Sequence, residues 1–260
     1  HNPRFKPTEA SDIDKINYDR MLQIYKERFA GPGQFTYYFV GNFDEAKLRP
    51  LLEKYIACLP KGKKENYKEF PMYVDGDNVN KFSRKMETPK AIAFDFYNVP
   101  MAYTLDNSVL VDAAGQVLSM VYLKQIREDA SAAYSVGASG GLSKIGSKSI
   151  ALMQDYCPMD PNKVDQATGL LVSGLKDCTE KVDADKVQKV KEYMLKQADE
   201  DAKDNGHWLG ILNDYIENGV DFQTGYKDAV NALTPERIAA FLKSLVAAGN
   251  HTDVVMTPIK

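Results

Sequence analysis

Residues 104–128 constrain the fold more than any other segment. Thr104 suits the N-cap of a helix. Val109, Leu110, Ala113, Ala114, Val117, Leu118 and Val121 follow it at helical spacing. A stripe this apolar is costly to leave in water, at roughly 25 cal/mol per Å². The segment is therefore predicted to be the longest helix, ending near Glu128, and to pack on a layer built by the rest of the chain. Strand patterns flank it. Ala91–Tyr97 alternates Ile92, Phe94 and Phe96, while Ala133–Ser139 and Ser147–Tyr156 read as two strands joined by a flexible loop, Gly140–Gly146.

The remaining elements follow from caps and periodicity. Asn17 caps a helix to about Phe29, with Met21, Leu22, Ile24, Tyr25 and Phe29 as a buried stripe. Gly31-Pro32-Gly33 stops it, and Phe35–Val40 is dense enough in aromatic and β-branched residues to be a strand. Asp44 caps a helix with Leu48, Leu51, Leu52, Tyr55, Ile56 and Leu59 on one face, ended by Pro60. Residues 61–89 are polar, with brief strand-like pieces at Met72–Val74 and Phe82–Arg84, and read as an extended connection. Asp160-Pro161 starts a helix that buries Val164, Ala167, Leu171, Leu175 and Cys178. Asp183 caps another to about Asp204, residues 207–232 hold one or two short helices, Thr234-Pro235 starts the next, and Asp253–Met256 is a terminal strand. Long helices mixed with hairpin-like strands predict an α+β fold. One sheet carries helices on one face, in a single domain spanning residues 1–260.

Composition excludes several function classes. The net charge of −3, from 33 basic and 36 acidic residues, lacks the basic excess that displaces counterions from nucleic acid, so no nucleic-acid partner is expected. The short run Lys61–Lys64 reads as a solvated linker. No apolar run approaches the roughly 20 residues of a membrane span. Cys58, Cys157 and Cys178 share no metal-ligand spacing and read as buried free thiols, with one disulfide as the alternative in an oxidising compartment. The opening His-Asn-Pro-Arg has none of the parts of a signal peptide, and the chain reads as a piece of a longer precursor.

The sequence is equally poor in hydrolytic machinery. His1, His207 and His251 are its only histidines, and none stands in a His-Glu-x-x-His or His-x-x-Glu-His pair. His207, beside Trp208, reads as a helix-start or packing residue. Gly137-Ala-Ser-Gly-Gly-Leu-Ser-Lys is no Walker sequence, and Ser135, Ser139 and Ser143 lack a nucleophile elbow. What remains is Arg127, at the end of the long helix, and Tyr134, entering the next strand. A short turn between them brings both to one edge of the sheet. Their donors suit peptide carbonyls or an oxyanion. Equally, Arg127 complements the helix C-terminus and Tyr134 serves as an interface aromatic.

Several segments, taken in order, resemble one family. Ile126-Arg127-Glu128, followed by Tyr134-Ser135-Val136, is similar to the "LRE…YSV" segment of the insulinase/pitrilysin-like (M16) zinc metallopeptidases. Phe35–Asp44 resembles the strand that ends in "VGNFD" there, Glu53–Pro60 resembles "EKYIGSLP", and Leu233–Pro258 fits the terminal stretch. The resemblance covers nearly the whole chain and is to the non-catalytic C-terminal domain. It implies α+β units paired into two halves that close like a clamshell over unfolded peptides. Zinc and its His-x-x-Glu-His motif would lie in the N-terminal half, on the same chain or a partner subunit, with no cofactor on this piece. Arg127 and Tyr134 match the family's substrate-binding pair, Tyr134 being a possible oxyanion donor, with no catalytic or metal-ligating residue here. The periplasm or cell envelope of a bacterium is the compartment implied, the cytoplasm the alternative. The alternative functions are a non-enzymatic structural or assembly subunit of the same fold and a generic peptide-binding module.

Overall fold

The structure, a computed structural model, describes residues 7–62, 73 and 75–259. These fall into two compact units, one ending at Met72 and one beginning at Tyr73.

The described part of the first unit holds one short and two longer α-helices, with an aromatic segment between the longer two. After the short α1 (Ala10–Ile13), Asn17 accepts from Arg20 N–H and starts α2 (Tyr18–Phe29). Asp44 accepts from the backbone N–H groups of Ala46 and Lys47 and starts α3 (Glu45–Tyr55). Both caps match the sequence prediction, but the predicted burial does not. No described residue of this unit is buried, and Met21, Ile24, Tyr25 and Phe29 are exposed. Residues 35–40 pair with no described strand, so the predicted strand is corrected to an unpaired segment. A strand needs a neighbour to satisfy its backbone, and no described strand pairs with this one. Its rings meet locally instead, Phe35 edge-on to Phe29 at 5.4 Å and tilted against Tyr37 at 6.3 Å.

The second unit is an α+β layer pair. The chain runs through β1 (Asp77–Arg84), β2 (Ala91–Pro100), α4 (Leu105–Tyr122), β3 (Gly137–Ile145), β4 (Lys148–Met159), α5 (Val164–Glu180), α6 (Ala184–Asp201), α7 (Asn205–Asn218), α8 (Tyr226–Asn231), α9 (Pro235–Ala247) and β5 (His251–Pro258). The sheet order is β1-β5-β2-β4-β3, with β5 parallel to β1 and every other pair antiparallel. The last strand therefore enters the middle of the sheet. β1 lies where the extended connection was predicted, and of Met72–Val74 only Tyr73 is among the described residues.

Thr104 caps α4 as predicted, and the helix buries Val109, Leu110, Ala113, Ala114, Val117 and Leu118 over β3 and β4. α9 covers β2 with Ile238, Phe241, Leu242 and Leu245. Alternation on the strands marks the covered face. Ala91, Ala93, Asp95 and Tyr97 of β2 and Ala151, Met153, Asp155 and Cys157 of β4 are buried, and the intervening Ile92, Phe94, Phe96, Leu152, Gln154 and Tyr156 are less so.

The predicted flexible loop 140–146 is corrected. Gly140 and Gly141 lie inside β3, and the hairpin turns at Gly146 (φ 59°). The reason is tertiary. A methyl group on Gly140 would overlap the Val111 carbonyl, and one on Gly115 would overlap the Gly140 backbone. The glycines let α4 lie directly on β3. Cys157 and Cys178 are buried free thiols as predicted, whereas Cys58 is exposed and donates to Lys54 O at 2.8 Å. It follows the end of α3, in the unit without a core.

Candidate functional site

The helix that began at Thr104 ends in an unusual way. From Leu123 to Asp129 the chain widens into π-helix, with Ala130 N–H bonded to Gln125 O at 3.1 Å. Ser131 then turns left-handed, with φ 47°, and Ala132 N–H returns to Ile126 O at 2.8 Å. This closure resembles a Schellman turn widened to suit the π-turn, with serine at the position that favours glycine. Lys163 Nζ donates to Ser131 O at 2.8 Å, and Ala133 bridges to Met159 at the end of β4. Residues 130–133 are thus fixed at one end of the sheet, with Ala132 and Ala133 buried.

That closure places Arg127 and Tyr134 together. Both side chains are exposed, Tyr134 at 87%, and the Arg127 guanidinium lies 5.5 Å from the centre of the Tyr134 ring. The contact is a cation–π pair. Both line an open cavity of about 780 Å³, together with Lys90, Ile92, Tyr156, Pro158 and Asp160. A planar guanidinium and a phenol at the edge of an apolar concavity can donate to the carbonyl oxygens of an extended chain. Among the described residues no group of three or more His, Cys, Asp or Glu is placed to hold a metal ion. His207 sits in the first turn of α7, its N–H bonded to Asp204 and its Nε2 2.9 Å from Gln223 Oε1.

A second polar cluster, on the helix-covered face, went unnoticed in the sequence. Tyr122 Oη donates to Asp155 Oδ2 at 2.8 Å in the core. Asp155 stands opposite Asp95 in the β2–β4 register, and Asp95 Oδ1 lies 2.8 Å from His251 Nε2. His251 Nδ1 is 3.1 Å from Asp77 Oδ1, and the Tyr97 ring stacks on the imidazole at 4.3 Å. Both ring nitrogens face carboxylates, and the hydrogen bond to Asp95 foremost raises the His251 pKa. Burial pushes the Asp155 carboxyl up to about 8; the Tyr122 bond and His251 oppose this and Asp95 adds to it. Asp155 Oδ1 has no hydrogen-bond partner. Burial, with Asp95 and Asp155 adding, also pushes the Cys157 thiol up to about 12, which keeps it un-ionised and inert. The available signal was an aspartate at an inward position of each of two alternating strands.

Fold and site together define an α+β domain with an exposed arginine–tyrosine pair at one end of its sheet. Residues 15–194 match the family profile described as the Peptidase M16 inactive domain, so the chain belongs to the M16 peptidase family. No curated protein sequence matches it. Among solved structures it is similar to the ferredoxin protease FusC, a mutant in complex with Arabidopsis ferredoxin. The identity is 17% and the TM-score 0.80, over 99% of this chain and 28% of that one. It is similar to the periplasmic protease PqqL from Escherichia coli at 21% identity and TM-score 0.74, over 98% of this chain and 29% of that one. It also resembles a peptidase M16 inactive domain from Pseudomonas fluorescens, at 15% identity and TM-score 0.70, over 96% of this chain and 60% of that one. At these identities the likeness is one of fold. The chain spans less than a third of the length of FusC or PqqL.

Proposed function

We propose that this chain is the substrate-binding domain of a zinc metalloendopeptidase, working with a zinc-bearing N-terminal half on the same chain or a partner subunit. The observation that carries the reading is the pairing of Arg127 and Tyr134, which line one cavity at the end of the long helix. Membership of the inactive-domain family supports it. In this reading the two halves close on an unfolded peptide. Arg127 holds a substrate carbonyl whose charge does not change, and Tyr134 donates to the carbonyl oxygen as it becomes an oxyanion. In this reading the zinc and the chemistry of bond cleavage belong to the other half. The periplasm or cell envelope is the proposed compartment, in keeping with the periplasmic description of PqqL.

The test is reconstitution. The purified chain is expected to hold no stoichiometric zinc and to leave a quenched peptide uncut. Addition of the zinc-bearing half should give cleavage that Arg127→Ala weakens through KM. One tightly held zinc per chain, or cleavage by the chain alone, would overturn the reading.

A further inference from the structure

The turn that leads into Tyr134 is held from outside by a lysine 32 residues further along the chain. Ser131, at φ 47°, has a backbone conformation that a residue with a Cβ adopts only at a cost. Such a turn persists where its surroundings over-determine it. From within the helix end, Ala130 N–H bonds to Gln125 O and Ala132 N–H to Ile126 O. From another element, Lys163 Nζ donates to Ser131 O at 2.8 Å. An ammonium donor makes that last bond a charge-assisted one.

The lysine reaches out from a rigid base. It ends the turn Pro161–Lys163, which joins β4 to α5. Asp160 Oδ1 accepts from Asn162 N–H at 2.8 Å, Lys163 N–H returns to Asp160 O at 2.9 Å, and Pro161 has a fixed φ. α5 packs on α4 and on the π segment itself. The approach is close at Gly174, where a methyl group would stand 2.7 Å from Gln125 Oε1. Gln125 is also the residue whose carbonyl takes the Ala130 N–H. One helix therefore both supports the π segment and presents the ammonium to the turn that follows it.

The donor pair depends on that turn for its geometry. Arg127 follows Ile126, which accepts from Ala132, and Tyr134 follows Ala133, which bridges to Met159. The two side chains are exposed and meet in the cation–π contact. A change of backbone at Ser131, between them, would re-aim one against the other. We infer that Lys163 is a positioning residue: its ammonium holds the Ser131 carbonyl, keeps the turn left-handed and so sets the Tyr134 hydroxyl relative to the Arg127 guanidinium. The inference rests on the carbonyl-binding reading above and adds to it the group that orders the pair before substrate arrives. Such ordering matters for rate, since a misplacement of about 1 Å can cost about 100-fold.

Kinetics of the enzyme assembled with its zinc-bearing half test this. Lys163→Met, which keeps the stem and removes the donors, should lower kcat on a quenched peptide roughly 10- to 100-fold, with KM and Tm little changed. Lys163→Arg should restore most of the rate. In a Tyr134→Phe background Lys163→Met should cost no further rate, because the hydroxyl it sets is gone. In a Ser131→Gly background, where the left-handed turn needs no support, its cost should shrink. On the chain alone, Lys163→Met should quicken amide hydrogen exchange at Ala130 and Ala132 and leave β2 and β4 as in wild type. A wild-type kcat in Lys163→Met beside a damaged Tyr134→Phe would overturn the inference and leave the carbonyl-binding reading standing. So would losses that multiply in the double variant, a cost undiminished by Ser131→Gly, or a Tm that falls in step with kcat. An unchanged kcat in Tyr134→Phe would overturn the reading and this inference with it.

Discussion

Replacing Asp155 by Asn should flatten the pH dependence of stability. Asp155 is only 1% exposed and faces Asp95 across the β2–β4 register. Its carboxyl titrates at about 8 in the fold, against an ordinary value of 3.8, with burial as the main cause. Between those values the folded state keeps a proton that the unfolded chain releases. Stability from this group is therefore fully present below the ordinary value and is lost as pH rises towards 8. The slope approaches about 1.4 kcal/mol per pH unit, so pH 5 to pH 7 should cost about 2–3 kcal/mol. Asparagine keeps the shape and an acceptor for Tyr122 Oη, and turns an N–H towards Asp95, without the ionisation. Urea unfolding at pH 5, 6, 7 and 8, followed by the single tryptophan Trp208, reads the second unit directly. His251, raised chiefly by Asp95, also loses its contribution as pH rises. It is present in both proteins, so the difference between them reports Asp155 together with its coupling to His251. The stability of the variant relative to wild type should climb steadily from pH 5 to pH 8. A constant difference across that range would refute an un-ionised Asp155.

Two more outcomes test the packing. Gly140→Ala should destabilise by about 1–3 kcal/mol, because its methyl would meet the Val111 carbonyl. Gly141→Ala, with open space around it, should be neutral or stabilising by up to about 1 kcal/mol. Thermal melts of the pair distinguish close helix–strand packing from a loop. Ser131→Gly should raise stability by about 1 kcal/mol by relieving the left-handed serine, which a shift of Tm would report. If the backbone there is unstrained, Tm will stay put or fall.

What could be read in the sequence was local. Asn17, Asp44, Thr104, Asp183 and Thr234 each cap the helix expected of them, because a cap depends only on the next three residues. The stripe on α4 predicted its place against the sheet. What could not be read depended on distant partners. Gly140 looks like a loop residue until α4 lies on it. Residues 35–40 have the composition of a strand, but pairing requires another strand. The stripe on α2 likewise needs a partner surface to be buried. The spacing of Arg127 and Tyr134 was legible, whereas the π-turn and the left-handed Ser131 that set them on one cavity were not. The Asp95–His251–Asp77 chain joins three strands far apart in sequence. No local pattern announces such a cluster beyond two aspartates on inward strand positions.

The proposed role of the donor pair is tested most directly by the turnover of a Tyr134→Phe enzyme, assembled with its zinc-bearing half. Tyr134 is 87% exposed, so losing its hydroxyl should leave the fold untouched. If that hydroxyl donates to the forming oxyanion, kcat on a quenched peptide should fall roughly 100- to 1000-fold, with KM and Tm little changed. A packing or interface tyrosine predicts nearly wild-type kinetics, because phenylalanine keeps the ring. An unchanged kcat in the well-folded variant would contradict the account.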